Sequence, residues 1–147
     1  MSEQEIIQNL VAKWVLLARE YVADAVDVRA YYLYGSHERQ GSSGQVSAMP
    51  LFDQVGTIVW ANDVIGTDTS IPRQQRVLGL MNTDLKEATA AFDATGIPAP
   101  TEYRVYYEPG SGKLDVQLSR EVKFLGNDEL IQEDGIRLWL GDRAPKQ

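Results

Sequence analysis

The stretch TEYRVYYEPGSGKLDVQLS, Thr101 to Ser119, alternates in side-chain type, breaks at a Pro-Gly turn and then alternates again. If Gly110 and Ser111 form the tip, one face pairs apolar or aromatic residues: Tyr107 with Leu114, Val105 with Val116, and Tyr103 with Leu118. The other face pairs mostly polar residues: Glu108 with Lys113, Tyr106 with Asp115, and Arg104 with Gln117. A half-buried antiparallel hairpin has this pattern. We therefore predict strands over 102–108 and 113–119, with Val105 and Val116 as buried neighbours.

The Gly-Ser-Gly-Lys run inside this stretch does not form a phosphate loop. That motif needs a glycine five positions before Gly112, where Tyr107 stands, and a hydroxyl residue where Leu114 stands. Gly110 and Gly112 are therefore interpreted as turn residues.

Two long segments have helical periodicity, with apolar residues recurring at three- and four-residue steps. They predict helices near 4–24 and 71–95. Ser2 and Glu5 can form a capping box at the first, and Gly96 is a natural end for the second. A short C-terminal helix is expected within 127–142, interrupted or ended near Gly135.

Three further segments alternate as strands, near 28–35, 45–52 and 57–61, and the polar run from His37 to Gly44 is expected to be a loop. The order of elements predicts a single α+β domain over residues 1–147. It contains an antiparallel sheet of about five strands, with an N-terminal helix and a second long helix packed on one face.

Composition narrows the function classes. The chain has 147 residues and no cysteine, which excludes disulfides, thiolate metal sites and a cysteine nucleophile. A net charge of -7 disfavours nucleic acid as a partner and is compatible with a basic partner. The N-terminus lacks a basic signal-peptide region, and no apolar run is long enough to span a membrane. We expect a cytoplasmic protein without a membrane partner.

No residue pattern marks a catalytic or metal site. His37 is the only histidine, and we expect it to be exposed in a loop. No cofactor or metal is predicted. A pair of carboxylates brought together only by the fold stays possible, as in glycosidases. Tyr31, Tyr106 and Trp60 are candidates for exposed aromatic residues, although a core position is slightly favoured for Trp60.

The order and spacing of four segments resemble the YezG-like family of bacterial immunity proteins, which are antitoxins to polymorphic secreted toxins. The segments are YLYGS (Tyr32–Ser36), LFDQVGTIVWAND (Leu51–Asp63), RQQRVLGLMNTDL (Arg73–Leu85) and PTEYRVYYEPGSGKLDVQLS (Pro100–Ser119). With the N-terminal helix they cover nearly the whole chain. Each segment is scaffold and none is a chemical signature.

The resemblance implies a protein without catalytic residues that docks on a cognate toxin, often a nuclease, and blocks it. Such a toxin has a basic surface, because nucleases hold phosphate. The candidate partner-binding residues are Tyr106, Asp115, Glu108 and Asp53. Two alternatives stay open: a small-molecule or regulatory protein-binding module, and a carboxylate-dependent hydrolase. A deep polar pocket with perturbed carboxylates would favour the hydrolase, and a shallow acidic face with aromatic residues would favour the inhibitor.

Overall fold

The computed structural model describes residues 1–146. Its helices are α1 (Glu3–Tyr21), α2 (Ile71–Thr95) and α3 (Asp134–Leu140), and its strands are β1 (Val28–Gln40), β2 (Ser43–Gln54), β3 (Thr57–Trp60), β4 (Glu102–Tyr107) and β5 (Leu114–Ser119). The strands form one antiparallel sheet in the order β3-β2-β1-β4-β5. The predicted α+β fold is confirmed.

The two long helices begin and end close to the predicted positions. At α1, the Ser2 hydroxyl accepts from the Glu5 N–H while the Glu5 carboxylate accepts from the Ser2 N–H, which is the expected capping box. Helix α2 ends at Gly96, whose φ of 76° is the left-handed conformation that glycine adopts at low cost.

Helices α1 and α2 pack against one face of the sheet and form the larger core. Trp14 of α1 is fully buried, and its Nε1 donates to the Met81 carbonyl of α2 at 3.2 Å. The indole lies against Gly35 of β1, where a β carbon would stand 2.4 Å from Trp14 Cη2. Gly35 therefore lets the indole approach the strand.

Helix α3 packs against the opposite face. The prediction that helices pack on one face therefore holds for the two long helices and is wrong for α3. Ile136 and Leu140 of α3 are buried against Tyr34 of β1 and Leu51 of β2 in a second apolar cluster. The physical reason is that β1 carries apolar or aromatic side chains on both faces from Ala30 to Tyr34, and all five of these residues are buried. Gly135 lies inside α3, so the predicted interruption or end of the helix at that residue is also wrong.

The register of the β4–β5 hairpin is confirmed pair by pair, including Val105 with Val116 and Tyr106 with Asp115. Burial of its apolar face is confirmed only for β4. Val105 is fully buried, whereas Val116 is half-buried and Leu114 and Leu118 are 50% and 36% exposed. Because β5 is the outer strand, its side chains have packing neighbours on one side only.

The predicted polar loop from His37 to Gly44 is wrong, because β1 and β2 continue through it to a tight turn at Gly41 and Ser42. His37 is a half-buried strand residue whose Nδ1 lies 2.9 Å from Thr89 Oγ1 of α2. Tyr31, considered as an exposed aromatic, is buried in the larger core. Trp60 is half-buried against the second cluster, and its Nε1 donates to the Lys146 carbonyl at 3.0 Å.

Candidate functional site

The four predicted partner-binding residues lie on the α3 face of the sheet, towards one end. The strand registers align Asp115 with Tyr106, Tyr106 with Tyr32, and Tyr32 with Leu51 in one row across the sheet. Asp53 and Glu108 each follow a residue of this row by two positions, so they emerge on the same face. We call the set Tyr32, Asp53, Tyr106, Glu108, Asp115 and Asp142 the acidic-aromatic surface.

Tyr106 is the aromatic centre of this surface. Its ring meets that of Tyr32 edge to face, with centroids 5.0 Å apart, and the Lys113 ammonium lies 5.9 Å from its centroid. The Tyr106 hydroxyl donates a hydrogen bond to the Glu108 carboxylate. Burial, followed by this bond, raises the pKa of Tyr106, while bonds from Tyr106 and Ser111 lower the pKa of Glu108. The pair is therefore a neutral phenol donating to a charged carboxylate.

Asp53 borders a shallow cleft at the end of the β2–β3 turn. Its Oδ1 accepts from the Gly56 N–H at 2.9 Å, which holds the carboxylate in place. The cleft has a volume of about 320 Å³ and is also lined by Tyr32, Asp142 and Arg143. The Arg143 guanidinium lies 5.9 Å from the Tyr32 ring centroid. Asp53 thus stands at the rim of an open cleft with another carboxylate.

Asp115 is the most accessible of the four predicted residues. It is exposed, and its Oδ2 accepts from the Gln117 side-chain amide at 3.2 Å. Asp53, Tyr106 and Glu108 are half-buried. The surface thus has a fixed aromatic and carboxylate part and one freely exposed carboxylate at its outer edge.

Two buried carboxylates, which the sequence analysis missed, lie further along the same face. Glu38 is 1% exposed and accepts from three successive backbone N–H groups, of Lys123 at 2.6 Å, Phe124 at 3.1 Å and Leu125 at 2.7 Å. Its charge is compensated by a run of backbone dipoles, as in a nest that binds an anion. We call this contact the Glu38 clip.

Glu102 of β4 is 3% exposed and is the second of these carboxylates. It accepts from the Tyr34 hydroxyl at 2.6 Å and from Lys123 Nζ at 3.0 Å. Arg104 Nε lies 3.2 Å from the same oxygen as Lys123, as an ion-pair contact without hydrogen-bond alignment. Burial and the bond to Glu102 raise the pKa of Tyr34, so its phenol stays a donor.

Glu38 and Glu102 hold parts of the fold together. Each is bonded to groups of the protein itself, and the segment from Lys123 to Leu125 covers Glu38. Within residues 1–146, no group of three or more His, Asp or Glu side chains could hold a metal ion. His37 pairs with the Thr89 hydroxyl, which does not orient an imidazole as the carboxylate of a catalytic triad does.

A second surface lies on the opposite face of the sheet, between α1 and β5. It is an open groove of about 480 Å³ lined mainly by apolar side chains. We call it the edge groove and define it by Ile7, Val11, Val15, Leu16, Leu114 and Val116. Leu16 is 55% exposed and Leu114 is 50% exposed. The sequence signal for this groove is the apolar alternation of the last predicted strand, which supplies Leu114 and Val116.

No helix within residues 1–146 is long and apolar enough to cross a membrane. Comparison of the chain with protein-family models and with curated proteins finds no match. The resemblance to the YezG-like immunity proteins therefore stays a prediction from the sequence.

Proposed function

We propose that this protein is a cytoplasmic, non-enzymatic immunity protein that binds and neutralises a toxin domain with a basic surface. The observation that carries the proposal is the acidic-aromatic surface, where Asp53, Tyr106, Glu108 and Asp115 share one face. Rigid aromatic side chains are typical anchors of protein interfaces. Complementary charge speeds the encounter with a basic partner.

Two features favour binding over catalysis. The carboxylates that the fold brings together in its interior, Glu38 and Glu102, are bonded to the protein's own donors. The accessible carboxylates lie instead on an open surface around Tyr106 and at the rim of the shallow cleft beside Asp53. A shallow, open surface suits a protein partner better than a small substrate. A nuclease toxin fits this surface because its substrate site must be basic.

A small-molecule binding module is the second candidate, and the edge groove favours it. The groove has a volume of about 480 Å³ and a mainly apolar lining, which are typical of a ligand site. Its ligand would be an apolar molecule, and its binding would be insensitive to salt. Binding of a basic toxin would weaken as salt rises, so the salt dependence of the binding affinity distinguishes the two candidates.

The test is protection of cells that co-express this chain with a basic toxin domain encoded beside it. We expect the wild-type chain to protect and the purified proteins to associate more slowly as ionic strength rises, while dissociation changes less. Asp115→Lys and Tyr106→Ala should weaken binding and leave the folded structure intact. The matched control is Asp128→Lys, which makes the same charge change at an exposed position of the C-terminal segment. If the wild-type chain fails to protect the cells and the purified proteins do not bind at low ionic strength, the proposal is refuted.

A further inference from the structure

The outer side of β5 carries backbone groups that no strand within residues 1–146 pairs with. The Glu108 N–H donates to the Lys113 carbonyl at 2.9 Å, and the Glu108 carbonyl accepts from the Gly112 N–H at 2.7 Å. Glu108 and Lys113 therefore stand at the position of a hydrogen-bonded pair at the start of the hairpin. Such pairs recur at every second residue, so Asp115 and Gln117 also direct their N–H and C=O groups towards β4. The intervening residues direct theirs outward: Leu114, Val116 and Leu118.

The pairing on the other side of β4 supports this assignment independently. The His37 N–H of β1 donates to the Thr101 carbonyl at 2.9 Å, while the Thr101 N–H donates to the Ser119 carbonyl of β5 at 2.8 Å, so regular alternation begins with β4 itself. By this alternation, Tyr103 and Val105 direct their backbone N–H and C=O groups towards β1, because they lie two and four residues further along β4. Arg104, which lies between them, therefore directs its N–H and C=O groups towards β5, in agreement with its pairing to Gln117.

The three residues with outward backbone groups also have apolar side chains on the α1 side of the sheet. Leu114 and Leu118 are 50% and 36% exposed, and Leu114 and Val116 line the edge groove. A strand added to β5 would therefore form backbone hydrogen bonds and place every second side chain in the edge groove. These are the two components of peptide recognition by strand addition.

The two edges of the sheet differ in how they are protected. The edge strand β3 has only four residues, and short edge strands discourage pairing with other chains. The edge strand β5 has six residues, Leu114 to Ser119, and contains neither proline nor a register shift. Its edge is therefore the one open to a partner.

Charge decides which occupant fits this edge. Two charged residues, Lys113 and Asp115, lie on the α3 face at this edge. The Lys113 ammonium lies 5.9 Å from the Tyr106 ring centroid, beside Glu108, whereas Asp115 is exposed and within residues 1–146 forms no ion pair in the structure. A positively charged residue would be favoured opposite Asp115 in an added strand, because opposite charges on neighbouring strands attract. A second copy of this chain would instead bring its own net charge of -7 to the contact.

We propose that β5 binds an extended segment of the toxin as a sixth strand, with apolar residues in the edge groove and alternating Lys or Arg residues on the face of Asp115. The inference rests on the proposed function for the basic character of the partner. Its geometry depends only on β5, α1 and Asp115.

The experiment measures backbone amide hydrogen exchange in the full chain, with and without an end-capped peptide of alternating valine and lysine. In the free protein the amides of Leu114, Val116 and Leu118 should exchange rapidly, whereas those of Asp115 and Gln117 should be protected. Added peptide should protect the first three in a saturable manner. One control peptide carries glutamate in place of lysine. A second is N-methylated at every valine, because the valine N–H groups are the ones that would face β5 when the valine side chains lie in the edge groove.

Variants test the charge and the edge separately. Asp115→Lys should weaken binding of the valine-lysine peptide about two- to fivefold, the range of exposed ion pairs, and should strengthen binding of the valine-glutamate peptide. Asp128→Lys is the matched control and should change neither. Val116→Pro deletes an outward N–H without deleting a bond to β4, and it should abolish binding. If Val116→Pro does not fold, the N-methylated peptide tests the same hydrogen bonds on the wild-type chain.

Three results would overturn the inference: protection away from β5, equal binding of the lysine and glutamate peptides, or equal binding of the N-methylated peptide. Protection of the same amides by raising protein concentration alone would also overturn it, in favour of a second copy at the edge. Failure of strand addition at β5 and failure of the immunity function give different results. Cells protected by folded Val116→Pro would refute strand addition and leave the immunity function standing. Peptide binding without cell protection would refute the immunity function and leave the edge site standing.

Discussion

Gly135 of α3 lies directly against Tyr34 of β1, and a β carbon at position 135 would stand 1.8 Å from the Tyr34 hydroxyl oxygen. The same hydroxyl donates to Glu102, so it cannot move aside without losing a buried bond. Glycine at this position sets how closely α3 approaches the sheet.

Gly135→Ala should therefore lift α3 from the sheet and lower the free energy of unfolding by about 1–3 kcal/mol, the usual cost of overpacking. Gly79→Ala is the matched control, because a β carbon added at Gly79 of α2 would meet no atom within 4 Å. It should stabilise the protein by about 0.5–1 kcal/mol through helix propensity. Urea denaturation measures both, and a neutral Gly135→Ala would contradict the packing of α3 against Tyr34.

Glu38→Gln should weaken the Glu38 clip. The amide loses the negative charge and can turn its NH₂ group towards the N–H donors of Lys123, Phe124 and Leu125. We expect a loss of about 2–3 kcal/mol, because hydrogen bonds to a charged group are the stronger ones. Amide exchange should accelerate first in 123–125. The exposed Glu121→Gln serves as the control, and identical exchange in both variants would show that the clip does not hold this segment.

His37 should make stability depend on pH. Burial, followed by the nearby positive charges of Arg39 and Lys86, lowers the pKa of His37 below its ordinary value of 6.5. The unfolded chain then binds a proton more readily than the folded one, so the contribution is complete above about pH 6.5 and is lost as the pH falls through the folded pKa. Thermal melts between pH 7 and 5 should show declining stability, and His37→Gln should flatten that decline. An unchanged slope would mean that other groups cause it.

Val105 and Val116 form a matched pair across one rung of the hairpin. Val105→Asp places a charge in the core and should cost more than about 4 kcal/mol, enough to unfold most of the protein. Val116→Asp should cost only about 1–2 kcal/mol, because the half-buried side chain on the outer strand can reach water. Equal losses in denaturant titrations would contradict the exposure of β5.

The local parts of this fold could be predicted from the sequence because local chemistry specifies them. The β4–β5 register follows from the turn at Gly110 and the two alternating flanks, and the ends of α2 follow from its apolar stripe and Gly96. The position of α3 could not be predicted in this way. It depends on the approach of Gly135 to Tyr34, two residues that the chain separates widely.

The candidate site shows the same division. Hairpin geometry placed Tyr106, Glu108 and Asp115 on one face, and the pairing of β1 with its two neighbours brought Asp53 to that face. The buried glutamates could not be predicted, because Glu38 and Glu102 look like ordinary surface residues in a sequence. Their partners lie on other elements, and the run that begins at His37 in the same strand resembles a polar loop.

The strand order has a consequence for how the molecule folds. Strands β1, β2 and β3 are joined by tight turns, as are β4 and β5, so each group pairs locally. The β1–β4 contact alone joins the two groups, and α2 lies between them in the chain. Pairing β1 with β4 closes the long stretch of chain between them. The entropic cost of this closure slows folding. We expect a three-stranded meander and a hairpin to form rapidly. Their slow docking along Tyr31–Ser36 and Glu102–Tyr107 then creates the native topology.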